Sequence, residues 1–123
     1  MGYHLIDPDE LPETPDRPST MKYISEAAGL DCMGLRVYDV APGEDIPLSG
    51  LHYHDEQEEV FFVLDGELAV ETPGRTYVVP SGRFFIAEPG SPHRAYNEAD
   101  ATDNVRVVGI GAPPVSDGHR YED

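Results

Sequence analysis

The sequence predicts an all-β fold, an antiparallel sandwich or barrel of short strands that follows an extended N-terminal arm. Paired turn residues divide the chain from residue 33 onward, and from Asp65 to Pro89 they recur every eight residues, a spacing typical of such folds. The pairs are Pro42-Gly43, Asp65-Gly66, Pro73-Gly74, Ser81-Gly82 and Pro89-Gly90. No segment sustains the 3.6-residue apolar period of a long helix. Prolines at every third or fourth residue from Pro8 to Pro18 favour an extended arm.

Length and charge limit the number of domains and the classes of partner. The 123 residues correspond to one domain that can bury a hydrophobic core. Asp and Glu number 24 against 8 Lys and Arg, so the formal net charge is -16. Such a chain lacks the clustered cations that bind nucleic acid or an anionic membrane, and we expect neither partner. It has no apolar run near ~20 residues and no signal-like N-terminus, which predicts a cytoplasmic location.

Two explanations of the acidic charge remain open. One is adaptation to a very salty cytosol, as in a halophile, where a Debye length of ~3 Å screens repulsion between surface carboxylates. The other is an acidic surface that meets a basic partner. The acidic residues are spread along the whole chain, which favours the first explanation.

The N-terminal arm is expected to span residues 1–32. It is either disordered or packed on a neighbouring subunit, with Leu5, Ile6 and Leu11 available for burial. The segment from Ser25 to Gly29 could form one helical turn. Cys32 is the only cysteine and has no flanking base, so we expect a small buried hydrophobe and neither a disulfide nor a nucleophile.

The first long β segment is expected to form a hairpin at Asp65-Gly66, a strong two-residue turn signal. This turn would pair Val63 with Leu68 and Phe61 with Val70, with Leu64 opposite Glu67 and Glu59 opposite Thr72. Alternation of side chains then predicts one inward face. That face would comprise Glu59, Phe61, Val63, Leu68, Val70 and Thr72. The other face mixes apolar residues with glutamates, which predicts that a second sheet, the arm or a dimer partner partly covers it.

Three parts of the sequence bring metal-ligating side chains toward one place. His52 and His54 flank Tyr53, and residues i and i+2 of a strand share a face about 6.7 Å apart. Glu59 follows one short loop later on the predicted inward face. His93 follows a turn rich in Pro and Gly that fixes the direction of its side chain. Three imidazoles and one carboxylate suit Fe, Mn, Ni, Co, Cu or Zn and are too rich in nitrogen for Ca or Mg.

The alternative is that these histidines are solvated surface residues, and a His-x-His pair alone is weak evidence for a ligand pair. We expect that interpretation to hold for His4 and His119, which lie near the two ends of the sequence. For the other three histidines, the order and spacing of the whole set favour a metal site.

The spacing of this set resembles the cupin family. Four residues separate His54 from Glu59 and six separate Glu59 from Gly66, as in the first cupin motif. Gly82, Gly90, His93 and Asn97 stand at matching positions of the second motif, and the fifteen residues between Gly66 and Gly82 equal the intermotif length of small single-domain members. The resemblance covers residues 33 to 111 and is specific, because so many positions agree in order.

Two departures from the cupin motifs affect loops and remove no ligand. Eight residues instead of five separate Gly43 from His52, with Pro47, Ser49 and Gly50 among them, which predicts a longer loop at the mouth of the barrel. Glu88 replaces the first proline of the second motif. It is either a solvent-facing strand end, the reading we favour, or a polar group near the mouth.

The resemblance implies a cupin-type double-stranded β-helix, a jelly-roll barrel, over residues 33–112. The arm precedes it, and residues 113–123 form a C-terminal tail. The resemblance further implies a homodimer and one divalent transition metal per chain, held by His52, His54, Glu59 and His93.

A six-coordinate metal with these four ligands would leave two positions for water, dioxygen or substrate. We therefore expect a small oxygenated organic molecule as ligand, with dioxygenase activity as one possibility. A metal-dependent isomerase or epimerase-like enzyme and a binding module without turnover are the alternatives, because fold does not fix function. No catalytic residue beyond the ligands can be assigned, and no other cofactor is expected.

Strand parity also predicts the residues around the ligand. The expected lining comprises Phe61, Val63, Tyr77, Phe84, Ile86 and Ala95. Arg36, Arg83 and Arg94 could bind an anion, but the parity of Arg83 and Arg94 points them outward, and the scarcity of cations favours a neutral or weakly acidic substrate. Asn97 is expected to end its strand with turn hydrogen bonds and not to contact substrate.

Overall fold

The structure is a computed structural model that describes residues 2–46 and 48–122. Met1, Asp123 and Pro47 of the loop before His52 lie outside the described residues. A 3-10 turn, Pro8–Glu10, and one short helix, α1 (Ile24–Ala28), accompany eleven strands. The strands are β1 (Thr20–Tyr23), β2 (Gly34–Val40), β3 (Asp45–Ile46), β4 (His52–His54), β5 (Glu58–Asp65), β6 (Glu67–Glu71), β7 (Thr76–Pro80), β8 (Phe84–Ala87), β9 (Arg94–Tyr96), β10 (Val105–Ala112) and β11 (Gly118–Arg120).

Two sheets enclose one hydrophobic core, and a third, two-stranded sheet lies beside them. The first sheet has the order β1-β2-β10-β5-β8, the second β3-β9-β6-β7, and the third β11-β4, with antiparallel pairing throughout. The core draws on both large sheets, with Tyr38, Phe61 and Val107 from the first and Leu68 and Val70 from the second. The predicted all-β jelly roll is therefore confirmed.

The predicted inward face of the β5–β6 region is correct for its apolar residues, although the predicted pairing of the two strands is wrong. Phe61, Val63, Leu68 and Val70 are each at most 1% exposed. However, β5 pairs with β10 and β8, and β6 pairs with β7 and β9, so the Asp65-Gly66 turn carries the chain from one sheet to the facing one. Gly66 makes that crossing with a φ of 84°. A Cβ there would lie 3.0 Å from the carbonyl oxygen of Asn104, so only glycine fits without a shift.

The N-terminal segment packs against its own chain. β1 is the edge strand beside β2, and the backbone N–H of Thr14 donates to Met21 at 2.9 Å. Arg106 of β10 contacts Asp9 at 2.9 Å. The helical turn predicted near Ser25 is confirmed as α1, which ends at Gly29 in the left-handed conformation. Cys32 is exposed, so its predicted burial is wrong; it lies in the irregular link between α1 and β2 and not on an inward strand face.

The C-terminal segment returns to the strand that carries His52 and His54. β11 pairs with β4, placing His119 opposite Tyr53. The segments expected as arm and tail thus each supply a strand to the fold, and β11 lies directly beside His52 and His54. No helix in the described parts of the chain has the length and apolarity that crossing a membrane requires.

Candidate metal centre

Three strand positions and one turn bring the four predicted ligands together. His52 and His54 both lie on the buried face of β4, while Tyr53 points away and its ring stands 5.3 Å from that of His119. His93 is paired through its backbone with His52, by N–H to carbonyl hydrogen bonds of 3.1 and 2.9 Å. Glu59 comes from the inward face of β5. The ligand atoms of the four residues all lie within 4.8 Å of one another.

The three imidazoles converge on one carboxylate oxygen. Glu59 Oε1 is 2.7 Å from His54 Nε2, 2.9 Å from His93 Nε2 and 3.7 Å from His52 Nε2. All four side chains are buried, His52, Glu59 and His93 at 2% exposure and His54 at 8%. The cluster therefore has little access to water that could neutralise it or satisfy its polar atoms.

The hydrogen bonds of the Nδ1 atoms determine whether the Nε2 atoms of the imidazoles carry a proton or a lone pair. Nδ1 of His52 is 3.1 Å from the carbonyl oxygen of Gly50, and Nδ1 of His93 is 2.9 Å from that of Ser91. A carbonyl oxygen only accepts, so each of these Nδ1 atoms carries the proton. Nδ1 of His54 is 2.9 Å from Asp117 Oδ1, and the same assignment follows. In neutral imidazoles each Nε2 then presents a lone pair.

Four electron-pair donors thus face one another in a buried space. The Nε2 atoms of His52 and His54 have no hydrogen-bond partner among the described residues, even though His54 Nε2 lies only 2.7 Å from Glu59. That contact is close but poorly directed for a hydrogen bond. Opposed acceptors repel, and a divalent cation between them removes the repulsion and satisfies each one. The cluster fits a metal ion of the nitrogen-preferring kind on these grounds.

The pKa shifts at the site have the directions expected of a carboxylate surrounded by imidazoles that can take up a proton. Burial alone would raise the pKa of Glu59, but the contacts with His52, His54 and His93 outweigh it and hold that pKa well below its usual range. The contact with Glu59, opposed by burial and supported by Asp117, raises the pKa of His54. Glu59 is therefore ionised and available as an anionic ligand at neutral pH.

Asp117 is a functional residue that the sequence analysis missed. Besides His54, its carboxylate accepts the backbone N–H groups of Glu56 at 2.7 Å and Gln57 at 3.1 Å. Burial opposes, but these N–H groups and His54 outweigh it and lower the pKa of Asp117. An ionised Asp117 fixes the ring orientation and tautomer of His54. No local signal indicates this role, because Asp117 stands 63 residues from its partner.

A cavity of about 290 Å³ opens beside the cluster. His54 and Glu59 form part of its wall, together with Gln57 of the loop between β4 and β5. The remaining wall residues are Arg17, Met21, Arg36, Leu48, Val115, Ser116 and Gly118. They come from the N-terminal segment, β2, the loop before β4 and the C-terminal segment. The space is large enough for a small organic molecule.

The lining predicted from strand parity is wrong for this cavity. Phe61, Val63 and Ala95 do point inward but are packed in the core, each at most 1% exposed. Tyr77, Phe84 and Ile86 are exposed and line a separate, open groove at the β8 edge. On β8 the inward positions are Phe85 and Ala87, because the pairing of Phe84 with Phe62 places both on the outer face.

Of the three arginines considered for anion binding, two point outward and one lines the cavity. Arg83 is exposed, and Arg94 points outward, where it forms a two-pronged ion pair with Asp45 at 2.9 and 3.0 Å. Arg36 points inward and lines the cavity. Glu88 is solvent-exposed, which is the reading that the sequence favoured.

Asn97 has the structural role predicted for it. The side chain is 2% exposed, and its amide donates to the carbonyl oxygens of Val40 and Asp103 at 3.0 and 2.9 Å. These bonds tie the end of β9 to β2 and to the loop before β10, away from the ligands.

Two glycines of β10, the central strand of the first sheet, make room for the side chains of Tyr38 and Gln57. A Cβ at Gly109 would lie 2.7 Å from the ring of Tyr38, and one at Gly111 would lie 2.7 Å from the amide of Gln57. Both approaches are closer than side chains tolerate. The Gly-Ile-Gly run at 109–111, with both glycines on the inward parity of β10, is a sequence signal that could have located these two residues.

The family follows from this fold, this site and a comparison with known families. Residues 36–110 match the Cupin domain model, which is more than half of the chain. The chain belongs to the cupin family. No curated protein sequence matches this cupin.

Solved structures share the fold of this cupin at low sequence identity. The polyketide cyclase RemF from Streptomyces resistomycificus superposes with a TM-score of 0.82 at 18% identity, covering 99% of this chain and 87% of that one. A predicted oxalate decarboxylase from Thermotoga maritima gives 0.71 at 19% identity, covering 89% and 99%. A candidate sugar phosphate isomerase from Acidithiobacillus ferrooxidans gives 0.68 at 25% identity, covering 76% of this cupin, which spans 58% of that longer chain.

Proposed function

We propose that this cupin binds one divalent transition metal through His52, His54, Glu59 and His93, and acts as a metal-dependent dioxygenase on a small oxygenated organic molecule held in the adjacent cavity. The observation that carries the metal site is the buried cluster of three imidazole lone pairs and one carboxylate oxygen within 4.8 Å of one another. The cavity of about 290 Å³ supplies the place for the organic ligand.

The metal is Fe, Mn, Ni, Co, Cu or Zn, according to the softness of the donor set. When bound, such an ion supplies Lewis acidity or, if redox-active, a centre for dioxygen chemistry. The chain's own residues hold the ligand nitrogens in the correct tautomer, exclude bulk water through burial, and shape the cavity that orients the organic molecule.

The cavity wall favours metal-centred chemistry over proton transfer by side chains. An isomerase that moves a proton between carbons needs a general base beside the substrate. Among the described wall residues, the only carboxylate and the only imidazole are Glu59 and His54, both members of the metal cluster. Tyr38, close to the cavity, is no base either, because burial raises its pKa to about 12. The remaining alternative is a binding module without turnover.

Elemental analysis and metal titration of the purified protein test the metal site. The wild type is expected to bind one equivalent of Zn²⁺, and the double variant His52→Ala, His93→Ala is expected to lose it. The matched control is His4→Ala, His119→Ala, which removes two exposed histidines outside the cluster and should keep full stoichiometry. If the first variant retained a full equivalent of metal, the ligand assignment would be wrong.

Oxygen uptake separates the enzyme from the binding module. The Fe²⁺-loaded protein is mixed with a catechol-like diol or a 2-oxo acid, each able to offer two oxygens to the metal. Uptake above that of the His52→Ala, His93→Ala variant supports the dioxygenase. Binding of these compounds without uptake supports the module instead.

We also propose a homodimer that forms through the outer face of β5 and β8. Phe84 and Ile86 are 63% and 61% exposed there, next to Phe62, Leu64 and half-buried Val60. A second copy of a chain with a net charge of -16 is repelled unless it meets a surface without charge. This apolar face has no charge at its centre and can pair with itself about a two-fold axis.

Two further properties belong to the proposal. We place the protein in the cytoplasm, where its one cysteine, the exposed Cys32, can stay a free thiol. We attribute the acidic composition to a salt-rich environment such as that of a halophile, because most acidic side chains point to solvent and only Glu59 belongs to the metal cluster.

A further inference from the structure

Two arginines in the cavity wall have no acidic partner. Seven of the chain's 8 basic residues are arginines. Arg75, Arg83 and Arg120 also form no ion pair among the described residues, so what distinguishes Arg17 and Arg36 is their place in the cavity wall. Arg94 and Arg106 each form ion pairs on the surface. For Arg17 and Arg36, no carboxylate in residues 2–46 and 48–122 lies within the 4.0 Å of an ion pair. Both line the same cavity as Glu59 and His54.

Arg36 is held in place by neutral groups. Its guanidinium lies over the ring of Tyr23, 5.2 Å from the centroid. Gly34 leaves the space that it occupies, because a Cβ at Gly34 would lie 3.0 Å from Nη2 of Arg36. Aromatic stacking orients a guanidinium without neutralising it. The charge of Arg36 is therefore positioned and left available.

The Tyr38 hydroxyl is a buried polar group next to Arg36, although Tyr38 is not itself a wall residue of the cavity. Tyr38 is 1% exposed, and its hydroxyl has no well-directed hydrogen bond among the described residues, although Arg36 lies next to it. The charges that act on this hydroxyl are those of Arg36, Glu59 and Arg17, all cavity residues. A buried hydroxyl without a partner is unfavourable, and here it faces the guanidinium of Arg36 without neutralising it.

We infer that Arg36, with Arg17, forms a carboxylate subsite beside the metal cluster, so that the ligand of this cupin is a small oxygenated organic acid with a carboxylate distal to its metal-facing oxygens. Its carboxylate binds the guanidinium of Arg36, and its other oxygens face His54 and Glu59 across the cavity. This inference rests on the proposed function for the metal end of the ligand. It narrows the expectation of a neutral or weakly acidic substrate to an acid, because the cations are few but two of the eight converge on one cavity.

A carboxylate fits this subsite better than a phosphate. A planar guanidinium binds a carboxylate through two parallel hydrogen bonds. A phosphate dianion needs more donors than one fixed arginine and one exposed arginine supply. The described wall contains no lysine, and the only helix, α1, is not part of it.

A matched pair of probes measures the contribution of the distal carboxylate. Malate and 2-hydroxybutanoate share a 2-hydroxy acid end, and only malate carries a second carboxylate. Each is titrated calorimetrically into the Zn²⁺-loaded wild type, Arg36→Met and Arg83→Met. The wild type should bind malate roughly 10- to 100-fold more tightly than 2-hydroxybutanoate, the value of a charge-assisted hydrogen bond. Arg36→Met should remove that preference, and Arg83→Met, which neutralises an exposed arginine outside the cavity, should keep it.

Further variants keep the test decisive if Arg36→Met does not fold. Arg36→Lys retains the charge but cannot form two parallel hydrogen bonds to a carboxylate, so it should keep part of the preference for malate. Arg17→Met should lower that preference less than Arg36→Met does. Equal binding of malate and 2-hydroxybutanoate to the zinc-loaded wild type overturns the inference, as does a preference that survives Arg36→Met. Tighter Arg36-dependent binding of inorganic phosphate than of malate also overturns the carboxylate assignment.

The zinc stoichiometry separates this inference from the proposal on which it rests. If the wild type binds no zinc, the metal site is refuted. If it binds one equivalent of zinc but does not prefer malate to 2-hydroxybutanoate, only the carboxylate subsite is refuted.

Discussion

Asp117 links the metal cluster to the C-terminal segment through a single carboxylate. It holds Nδ1 of His54 and two backbone N–H groups of the loop before β5. Without this acceptor, the His54 ring could flip or carry its proton on Nε2, and in either case the lone pair would leave the cluster. The partner of His54 thus belongs to the site as much as the ring does.

The variant Asp117→Asn is expected to weaken zinc binding about 10- to 100-fold, because the amide is a weaker acceptor and no longer fixes the tautomer of His54. Competition with a chromogenic chelator measures the dissociation constant. Asp100→Asn, which changes an exposed aspartate outside the site, should leave the constant unaltered. An unchanged affinity in Asp117→Asn would show that His54 keeps its orientation without the carboxylate.

The residues that sequence reasoning located and those that it missed differ in the range of their interactions. His52 and His54 share a face because strand alternation is a local rule, and the structure places them so. Asp117 and Arg17 gain their positions from contacts with residues that are distant along the chain, which no local rule encodes. Arg36 was considered from its residue type alone, and its place in the cavity depends on room left by Gly34.

At the scale of elements, the Asp65-Gly66 turn shows why pairing is harder to predict than burial. A turn can join two paired strands of a hairpin, or it can carry the chain from one sheet to the facing sheet. In both cases the chain reverses and the same residues point inward. The apolar alternation of β5 and β6 therefore predicts the inward face correctly under both arrangements. Which strands pair is decided by β10 and β9, more than 20 residues away in sequence, which insert beside β5 and β6.

The outer face of β5 and β8 gives a test of the homodimer. Phe84→Glu combined with Ile86→Glu is expected to yield a monomer, because four buried carboxylates would then meet in each two-fold interface. Light scattering after gel filtration measures the mass. Val78→Glu places a charge at a residue that is 64% exposed on β7 of the other large sheet, and it should not alter the mass. A wild type that is monomeric would contradict the proposal directly.

At the scale of the whole molecule, the fold class followed from spacing because turns and alternation repeat along most of the chain. The two ends could not be interpreted in this way. Prolines in the first 18 residues predicted an extended arm, yet the adjoining β1 packs against β2 and Arg17 borders the cavity. These positions depend on the completed barrel, against which the end segments pack.

The net charge of -16 predicts that salt stabilises the folded protein. Screening weakens repulsion between carboxylates that folding brings close together, so the melting temperature should rise by roughly 10 °C between about 0.1 M and about 3 M KCl, equivalent to a few kcal/mol for a domain of this size. Differential scanning calorimetry measures the change. Sucrose, an uncharged excluded solute, is the control and should give a smaller rise at equal osmolality. A melting temperature independent of KCl would argue for a basic partner instead.

The cavity wall combines residues from both ends of the chain, which determines the order of synthesis, closure of the wall and metal binding. Arg17 and Met21 come from one end of the chain and Val115, Ser116 and Gly118 from the other, and they meet around His54 and Glu59. During synthesis, the ribosome must therefore have delivered the chain past residue 118 before the wall can close. Metal acquisition with full affinity is then a late step that follows translation. A chain cut short before Asp117 would keep all four ligand residues and still lack the carboxylate that fixes the ring of His54.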